Sequence, residues 1–362
     1  MKHLLISMRS FFSSPLVKAS NLLFSTIVGA GVLGIPYVIA HVGLLVGTVY
    51  ILGMGLCMMF VHMLIGELVI ASGKHVQLTG IARLYCGAFG AWLMAGVFFA
   101  MHMGALVAYI IGEGESLSAL FGGAPSVWSG LFFLCGAAVV GFGTRIIARF
   151  DTILNYTTLA VMAVIIGIAL RHIQSPIAAM FPDNTISLLV PYGVLLFAFH
   201  GTSAIPEMEI ITGRDPKKLR YAIVIGSLAP LILYVIFALT TVLVTGRATT
   251  EIATIGLGHA IGPFMAIAGN IFAIVAMTTS FITIGDAVRR TCQWDFGMRA
   301  KRAFLCALGV PALVYIVGAR EFVGVIALVG GVFGSIEIFL LLLAYRKIYE
   351  KSSYPRRRIW WR

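Results

Sequence analysis

The chain has 362 residues, of which 60% are hydrophobic and 11% charged, with a net charge of +12 and a mean hydropathy of +1.00. An ordinary soluble domain is roughly a quarter charged, so a water-soluble globular fold is excluded and the composition points to a protein that lives in a bilayer. The five cysteines, at 57, 86, 135, 292 and 306, fall within apolar runs or basic loops and give no disulfide framework.

A hydrocarbon layer about 30 Å thick takes roughly 20 apolar residues per helix. Residues 1–18 are basic, and Arg9, Ser10 and Pro15 interrupt them, so they read as a retained lead rather than a cleaved signal. Ten apolar runs follow, predicting spans at 19–40, 44–70, 89–112, 126–147, 152–171, 188–211, 219–245, 262–286, 303–318 and 322–345. The connections are short and leave no room for an inserted soluble domain.

Lys and Arg sort cleanly between alternate connections. All but Arg171, Arg247 and Arg320 of the 26 fall in the lead, the tail and every second loop. The positive-inside bias predicts that these segments, and hence both termini, are cytoplasmic, as an even span count requires, in an inner (plasma) membrane protein. The tail, with Arg356, Arg357, Arg358, Trp360 and Trp361, reads as a segment lying on anionic lipid headgroups rather than a nucleic-acid patch.

Two spans carry residues that forfeit helix stability at mid-membrane. Span 1 contains Gly29-Ala-Gly-Val-Leu-Gly-Ile-Pro36, and span 6 contains Phe197-Ala-Phe-His-Gly-Thr-Ser-Ala-Ile-Pro-Glu207. Aligning Gly31–Pro36 with Gly201–Pro206 gives three identities in six at an offset of 170, close to half the chain. Five spans precede the sixth, so the second half runs through the membrane in the opposite sense, and paired interruptions in two inverted halves point to a transporter's binding site. The predicted organisation is a lead (1–18), a first five-helix repeat (19–172), an external loop (173–187), a second five-helix repeat (188–345) and a tail (346–362).

The physical logic is that unwinding frees backbone N–H and C=O groups, which hydrocarbon cannot satisfy, so a break must face protein or a wet cavity. Half-helix N-termini suit a carboxylate, and freed carbonyls suit an ammonium group or a cation. The bland alternative is that Gly and Pro serve kinks or close packing.

The GAGVLGIP and FAFHGTSAIPE segments resemble signatures of the amino acid/polyamine/organocation superfamily, and within it the hydroxy/aromatic amino acid permeases (tryptophan/tyrosine permeases). Gly104-Ala-Leu-Val-Ala-Tyr109-Ile-Ile-Gly, Arg214-Asp-Pro-Lys-Lys-Leu-Arg220, Thr279-Ser-Phe and Asp295-Phe-Gly extend the resemblance over nearly the whole chain. It implies an all-α integral membrane fold of ten helices in the five-plus-five inverted repeat of the bacterial leucine transporter, with spans 1 and 6 interrupted. It also implies an amino acid substrate, aromatic or otherwise neutral, moved by alternating access with proton- or sodium-coupled symport, and no cofactor beyond the coupling ion. Many such relatives have eleven or more helices, where this chain has ten predicted spans.

The resemblance places the substrate carboxylate on amides of Gly29, Ala30 and Gly31 and its ammonium group on carbonyls from Phe197 to Phe199. Phe199, His200, Gly201, Thr202 and Ser203 would line the side-chain pocket, with Tyr109 closing it or serving as ordinary packing. Carbonyls near Val28 with Thr279 and Ser280 resemble a sodium site of oxygen ligands suited to a hard cation, although Thr and Ser also bond their own helix.

His200 is the titratable residue beside the break, read as a proton sensor or a hydrogen-bonded structural histidine. Glu207, after Pro206, reads as a helix-start acid or a gate. Asp286, with Arg289 and Arg290 at i+3 and i+4, reads as a helix-end ion pair. Glu337 lies deep in span 10, where an ionisable group defaults to a functional reading as proton relay or gate.

Other classes leave no mark. A rhomboid-type serine site needs GxSG, whereas the nearest match is Gly201-Thr-Ser-Ala204; HExxH is absent, and Asp286 lacks a GxGD context and a second aspartate. A channel would carry a filter or polar stripes on several helices.

Overall fold

A computed structural model describes residues 14–73, 76–142, 145–173, 189–294 and 296–351. They are almost wholly helical, with no strand among them. The elements are α1 (Pro15–Ile27), a 3-10 turn (Ala30–Gly34), α2 (Ile35–Val42), α3 (Leu44–Ser72), α4 (Leu78–Phe121), α5 (Pro125–Phe142) and α6 (Arg145–Ala169). Then come α7 (Leu189–Ala198), a 3-10 turn (Thr202–Ala204), α8 (Ile205–Ile211), α9 (Pro216–Thr245), α10 (Ala253–Ile261), α11 (Pro263–Trp294) and α12 (Ala300–Val317). α13 (Phe322–Leu328), a π-helical turn (Val329–Gly334) and α14 (Ser335–Lys351) complete the chain.

Among the described residues seven helices are long and apolar enough to cross a bilayer, and eight if α1 and the segment Ala30–Val42, bent by 48°, form one span. Two shorter apolar helices, Pro125–Gly141 and Thr157–His172, lie where the fourth and fifth spans were predicted. The bundle wears its apolar side chains outward as well as inward: Phe89, Leu134, Leu189 and Val317 are all more than 60% exposed. Water would penalise such a surface, whereas lipid tails do not, so this is a multi-pass membrane protein.

The first helix begins earlier than predicted. Pro15, read from sequence as interrupting the lead, starts it together with Ser14: the Ser14 hydroxyl accepts the N–H of Val17, and Pro15 occupies the first turn, where its missing N–H costs no hydrogen bond. α4 also starts ahead of its predicted 89, because Gly87, at φ 76°, turns the chain between two helical stretches in a conformation that L side chains resist. It continues past 112 to Phe121.

Close helix contacts rest on small residues. A Cβ at Gly226 of α9 would lie 2.9 Å from the carbonyl oxygen of Ser20, so glycine lets α9 approach α1. A Cβ at Gly193 or Gly330 would strike backbone of the facing element, so α7 and the π turn touch main chain to main chain. The lead before 14, residues 174–188, Asp295 and the tail from 352 lie outside the described residues.

Candidate functional site

Span 1 loses its helix between Ile27 and Ala30. The C-cap Val28 sits at φ −78°, ψ 83°, and Gly29 is extended at φ −122°, ψ −159°. The first backbone bond of the following turn is Val32 N–H to Gly29 O, and among the described residues the amides of Ala30 and Gly31 have no backbone acceptor at this helix start. Span 6 breaks after Ala198: the Phe199 and His200 amides still reach back to Leu195 and Phe197, Gly201 departs at φ −142°, ψ 12°, and a new turn opens with Ala204 N–H to Gly201 O.

The two breaks touch. A Cβ placed on Gly31 would stand 2.9 Å from Cα of Ala198 and 3.2 Å from Cδ1 of Phe197. The Tyr234 hydroxyl, from α9, donates to the Ile27 carbonyl at 2.8 Å and lies 3.2 Å from that of Ala198, so its one hydrogen is within reach of the last carbonyls of both half-helices. Phe199 stacks on the Tyr234 ring, centroids 5.0 Å apart, and is 1% exposed.

A cavity of about 450 Å³ lies against the breaks. Val28, Gly29, Gly31, Tyr109, Phe197, His200, Ser203, Glu207, Thr279 and Ser280 all line it. Met101, His102 and Ala105, on the face of α4 that carries Tyr109, form another wall, and Ser25, Thr158 and Thr283 extend it toward the end of the bundle where Glu207 lies.

Four predicted substrate-binding residues, and the predicted coupling residue Glu337, do not line it. Ala30 and Gly201 are buried in the backbone of the breaks, Phe199 is turned onto Tyr234, and Thr202 faces Glu337. The reason is geometric: successive residues of a tight turn point in different directions, so only part of each motif can face one cavity.

Behind the break lies an acid–base pair that joins residues 137 positions apart. Nε2 of His200 faces the two oxygens of Glu337 at 3.1 and 3.2 Å, and the Thr202 hydroxyl donates to the same carboxylate. Glu337, 4% exposed, thus has its partners on the broken span, while His200 reaches both it and the cavity. Glu337 follows directly on the π turn, a distortion that frequently accompanies functional positions.

The candidate cation ligands share a wall. The Thr279 hydroxyl donates to its own helix at Val275 O, 2.9 Å away, leaving its lone pairs open, and the Ser280 hydroxyl is 3.7 Å from where a Gly29 Cβ would stand. These hydroxyls and a nearby peptide carbonyl are the oxygen donors a hard monovalent cation takes. Asp286 pairs with Arg289 at 2.5 Å and Arg290 at 2.6 Å, as the helix-end reading expected.

Several polar residues were not singled out in the sequence. Tyr234 is one. Glu113, fully buried, accepts a bond from Thr278 at 2.7 Å and has one oxygen without a partner. His62, also fully buried, meets the Ser227 hydroxyl at 3.2 Å, and its Nε2 has no partner. The signal existed for His62, an ionisable group inside the run 44–70, the argument applied to Glu337, whereas Glu113 stands one residue past the run 89–112.

An apolar helical bundle with two broken spans meeting at a central polar cavity defines a membrane transporter of the broken-helix class. The chain belongs to the tryptophan/tyrosine permease family, whose profile it matches over residues 13–360. It is 27% identical over 321 residues to tyrosine-specific transport system 1 of Haemophilus influenzae, covering 83% of this chain and 79% of that one. It is 22% identical over 344 residues to glutamine transporter 2 of Aliivibrio fischeri, covering 92% and 89%.

Among solved structures its fold is similar to that of MhsT in complex with L-phenylalanine, with a TM-score of 0.63, 16% identity and coverage of 90% and 87%. It is also similar to Mhp1, a nucleobase-cation-symport-1 family transporter, in a closed conformation with bromovinylhydantoin bound, with a TM-score of 0.60, 12% identity and coverage of 87% and 74%. The protein is a transporter, not an enzyme.

Proposed function

We propose that this protein is a secondary amino acid transporter of the inner membrane, in which the substrate sits between the two helix breaks and is exposed to each side in turn. The observation that carries the reading is the contact of Gly31 with Ala198 beside a cavity of about 450 Å³, a volume within the range of small-ligand sites. In this reading ten spans form two inverted five-helix repeats, 19–172 and 188–345, joined by 173–187, with both termini cytoplasmic and lipid around the bundle. The relatives named for tyrosine and glutamine transport support a neutral substrate.

The amides of Ala30 and Gly31, with the extended Gly29, take the carboxylate at a helix start, where the backbone carries partial positive charge. Carbonyls at the span 6 break take the ammonium group, where Phe197 and Ala198 line the cavity. The side chain lies among Met101, His102, Ala105, Tyr109, Phe197 and Ser203. Because the cavity runs toward Glu207 and the basic loops, this conformation corresponds to the inward-facing state.

Protons couple transport through His200 and Glu337. His200 touches both the cavity and the buried acid, so a proton moving between them changes the charge facing the substrate. A sodium arm is favoured by the convergence of Val28, Thr279 and Ser280 on the same wall. Uptake of labelled tyrosine, tryptophan and glutamine into proteoliposomes, under an imposed proton or sodium gradient, tests both. Accumulation with the proton gradient alone supports the His200–Glu337 route, accumulation with sodium alone supports the second, and uptake of no amino acid rejects the transport reading.

A further inference from the structure

On α4, a histidine projects into the cavity with its chemistry fixed by its own helix. Nδ1 of His102 lies 2.7 Å from the carbonyl oxygen of Phe98, one turn back, and the imidazole stacks on the Phe98 ring with centroids 4.0 Å apart. A carbonyl only accepts, so Nδ1 carries the hydrogen. The neutral ring is thereby held as the tautomer whose Nε2 offers a lone pair and no proton. Nε2 has no partner among the described residues, and His102 is a wall residue of the cavity.

The surroundings make that lone pair conspicuous. Met101, Ala105 and Phe197 on the same cavity are apolar, while Tyr109, Ser203, Thr279 and Ser280 line other parts of it. An acceptor on the cavity wall without a protein partner discriminates between ligands. A ligand that supplies an N–H or O–H satisfies it, whereas a ligand of the same shape without one strips its water and leaves it unpaired.

We infer that His102 is a specificity-determining residue, its Nε2 accepting a hydrogen bond from the side chain of the transported amino acid, and that the site therefore prefers side chains ending in a donor over isosteric apolar ones. Phenol, indole and carboxamide groups qualify; benzyl and branched aliphatic groups do not. This rests on the substrate reading given above.

The decisive pair is tyrosine against phenylalanine, which differ by one hydroxyl. In proteoliposomes the unmodified protein should take up tyrosine with a kcat/KM at least about tenfold that for phenylalanine, and tyrosine should compete better against labelled glutamine than phenylalanine does. His102→Met, of similar reach and with only a weak acceptor, should bring the ratio near one, tyrosine uptake falling by a larger factor than phenylalanine uptake. His102→Gln, with a carbonyl acceptor, should recover part of the preference. Equal uptake of tyrosine and phenylalanine by the unmodified protein, or an unchanged ratio in His102→Met, overturns the assignment. Retained phenylalanine uptake in that experiment would leave the transport reading standing, whereas unmodified protein that moves no amino acid strikes the transport reading itself. The competition arm needs no variant, so misfolding of either substitution does not blunt the test.

Discussion

The hydroxyl of Tyr234 donates a hydrogen bond to the carbonyl oxygen of Ile27 across 2.8 Å, joining α9 to the last turn of α1, and the same oxygen stands 3.2 Å from the carbonyl of Ala198. Broken helices in a membrane leave carbonyls that lipid cannot satisfy. Here one phenol supplies the donor where both breaks begin, and its ring packs on Phe199. The two halves are thus tied at their weakest point by a residue that contacts neither lipid nor the cavity.

Removing that hydroxyl should be costly out of proportion to its size. Tyr234→Phe removes one of the two donors to the Ile27 carbonyl, which keeps the Gly29 N–H, a loss of about 0.5–1.5 kcal/mol. A drop in the thermal midpoint of the detergent-purified protein, together with reduced uptake velocity, is the expected result. A variant with unchanged midpoint and uptake would mean that another donor replaces the phenol.

The contact between the breaks makes a sharper demand on Gly31. A methyl there would meet main chain at 2.9 Å, which cannot swing aside as a side chain can. Gly31→Val should reduce uptake more than about tenfold, whereas Gly53→Ala, at a position with nothing within 4 Å, should leave it unchanged. Equal behaviour of the two variants would separate the breaks from function.

If Glu337 holds the coupling proton, a neutral isostere should divorce transport from the gradient without abolishing it. Glu337→Gln keeps the bonds to His200 and Thr202 in kind but cannot ionise. Concentrative uptake driven by an imposed proton gradient should be lost, while exchange of labelled for unlabelled substrate at equal concentrations persists. Loss of both would assign Glu337 to substrate binding or folding instead.

Thr278 gives Glu113 its hydrogen bond within the bundle, at 2.7 Å. Thr278→Val removes it and should destabilise the protein by about 1–3 kcal/mol. Glu113→Gln, which retains the acceptor for Thr278, should cost less. The two thermal midpoints, measured side by side, give the order, and the reverse order would show that the acid's proton matters more than the bond.

Outside the spans, Glu251 accepts the N–H of Val323 at 2.9 Å, pinning the segment before α10 to the start of α13. Burial raises its carboxyl above the ordinary 4.5, partly offset by the amides of Val323 and Phe322. A raised carboxylate binds its proton more tightly in the folded state, so the protein loses stability as pH rises from about 4.5 through the higher folded value. Glu251→Gln, which does not titrate, should lack that decline, and the gap between the two thermal midpoints should grow over the same range. Parallel profiles would show that the shift carries no energetic weight.

How much of this was legible beforehand depends on range. The first break was visible because three glycines and a proline in one apolar run betray themselves locally, and Asp286 could be paired because Arg289 and Arg290 lie a helical turn away. Glu113 escaped because the third run, read as 89–112, ends one residue short of it, whereas tertiary packing carries the helix on to Phe121. Phe199 and Thr202 were placed in the pocket by the family resemblance, yet a tight turn sends adjacent side chains different ways.

By itself the sequence determined that the chain lives in a membrane, roughly where each apolar helix runs and where two of them fail. Hydrophobic length and the loss of helix stability at Gly and Pro are properties of contiguous residues. Only the tertiary structure decided that Gly31 meets Ala198, that Tyr234 serves both breaks, that Glu337 answers His200, and that His102 looks into the cavity. Those partners lie 36 to 207 residues apart or depend on which face of a helix turns inward, and in an apolar bundle packing, not the pattern of hydrophobicity, chooses that face.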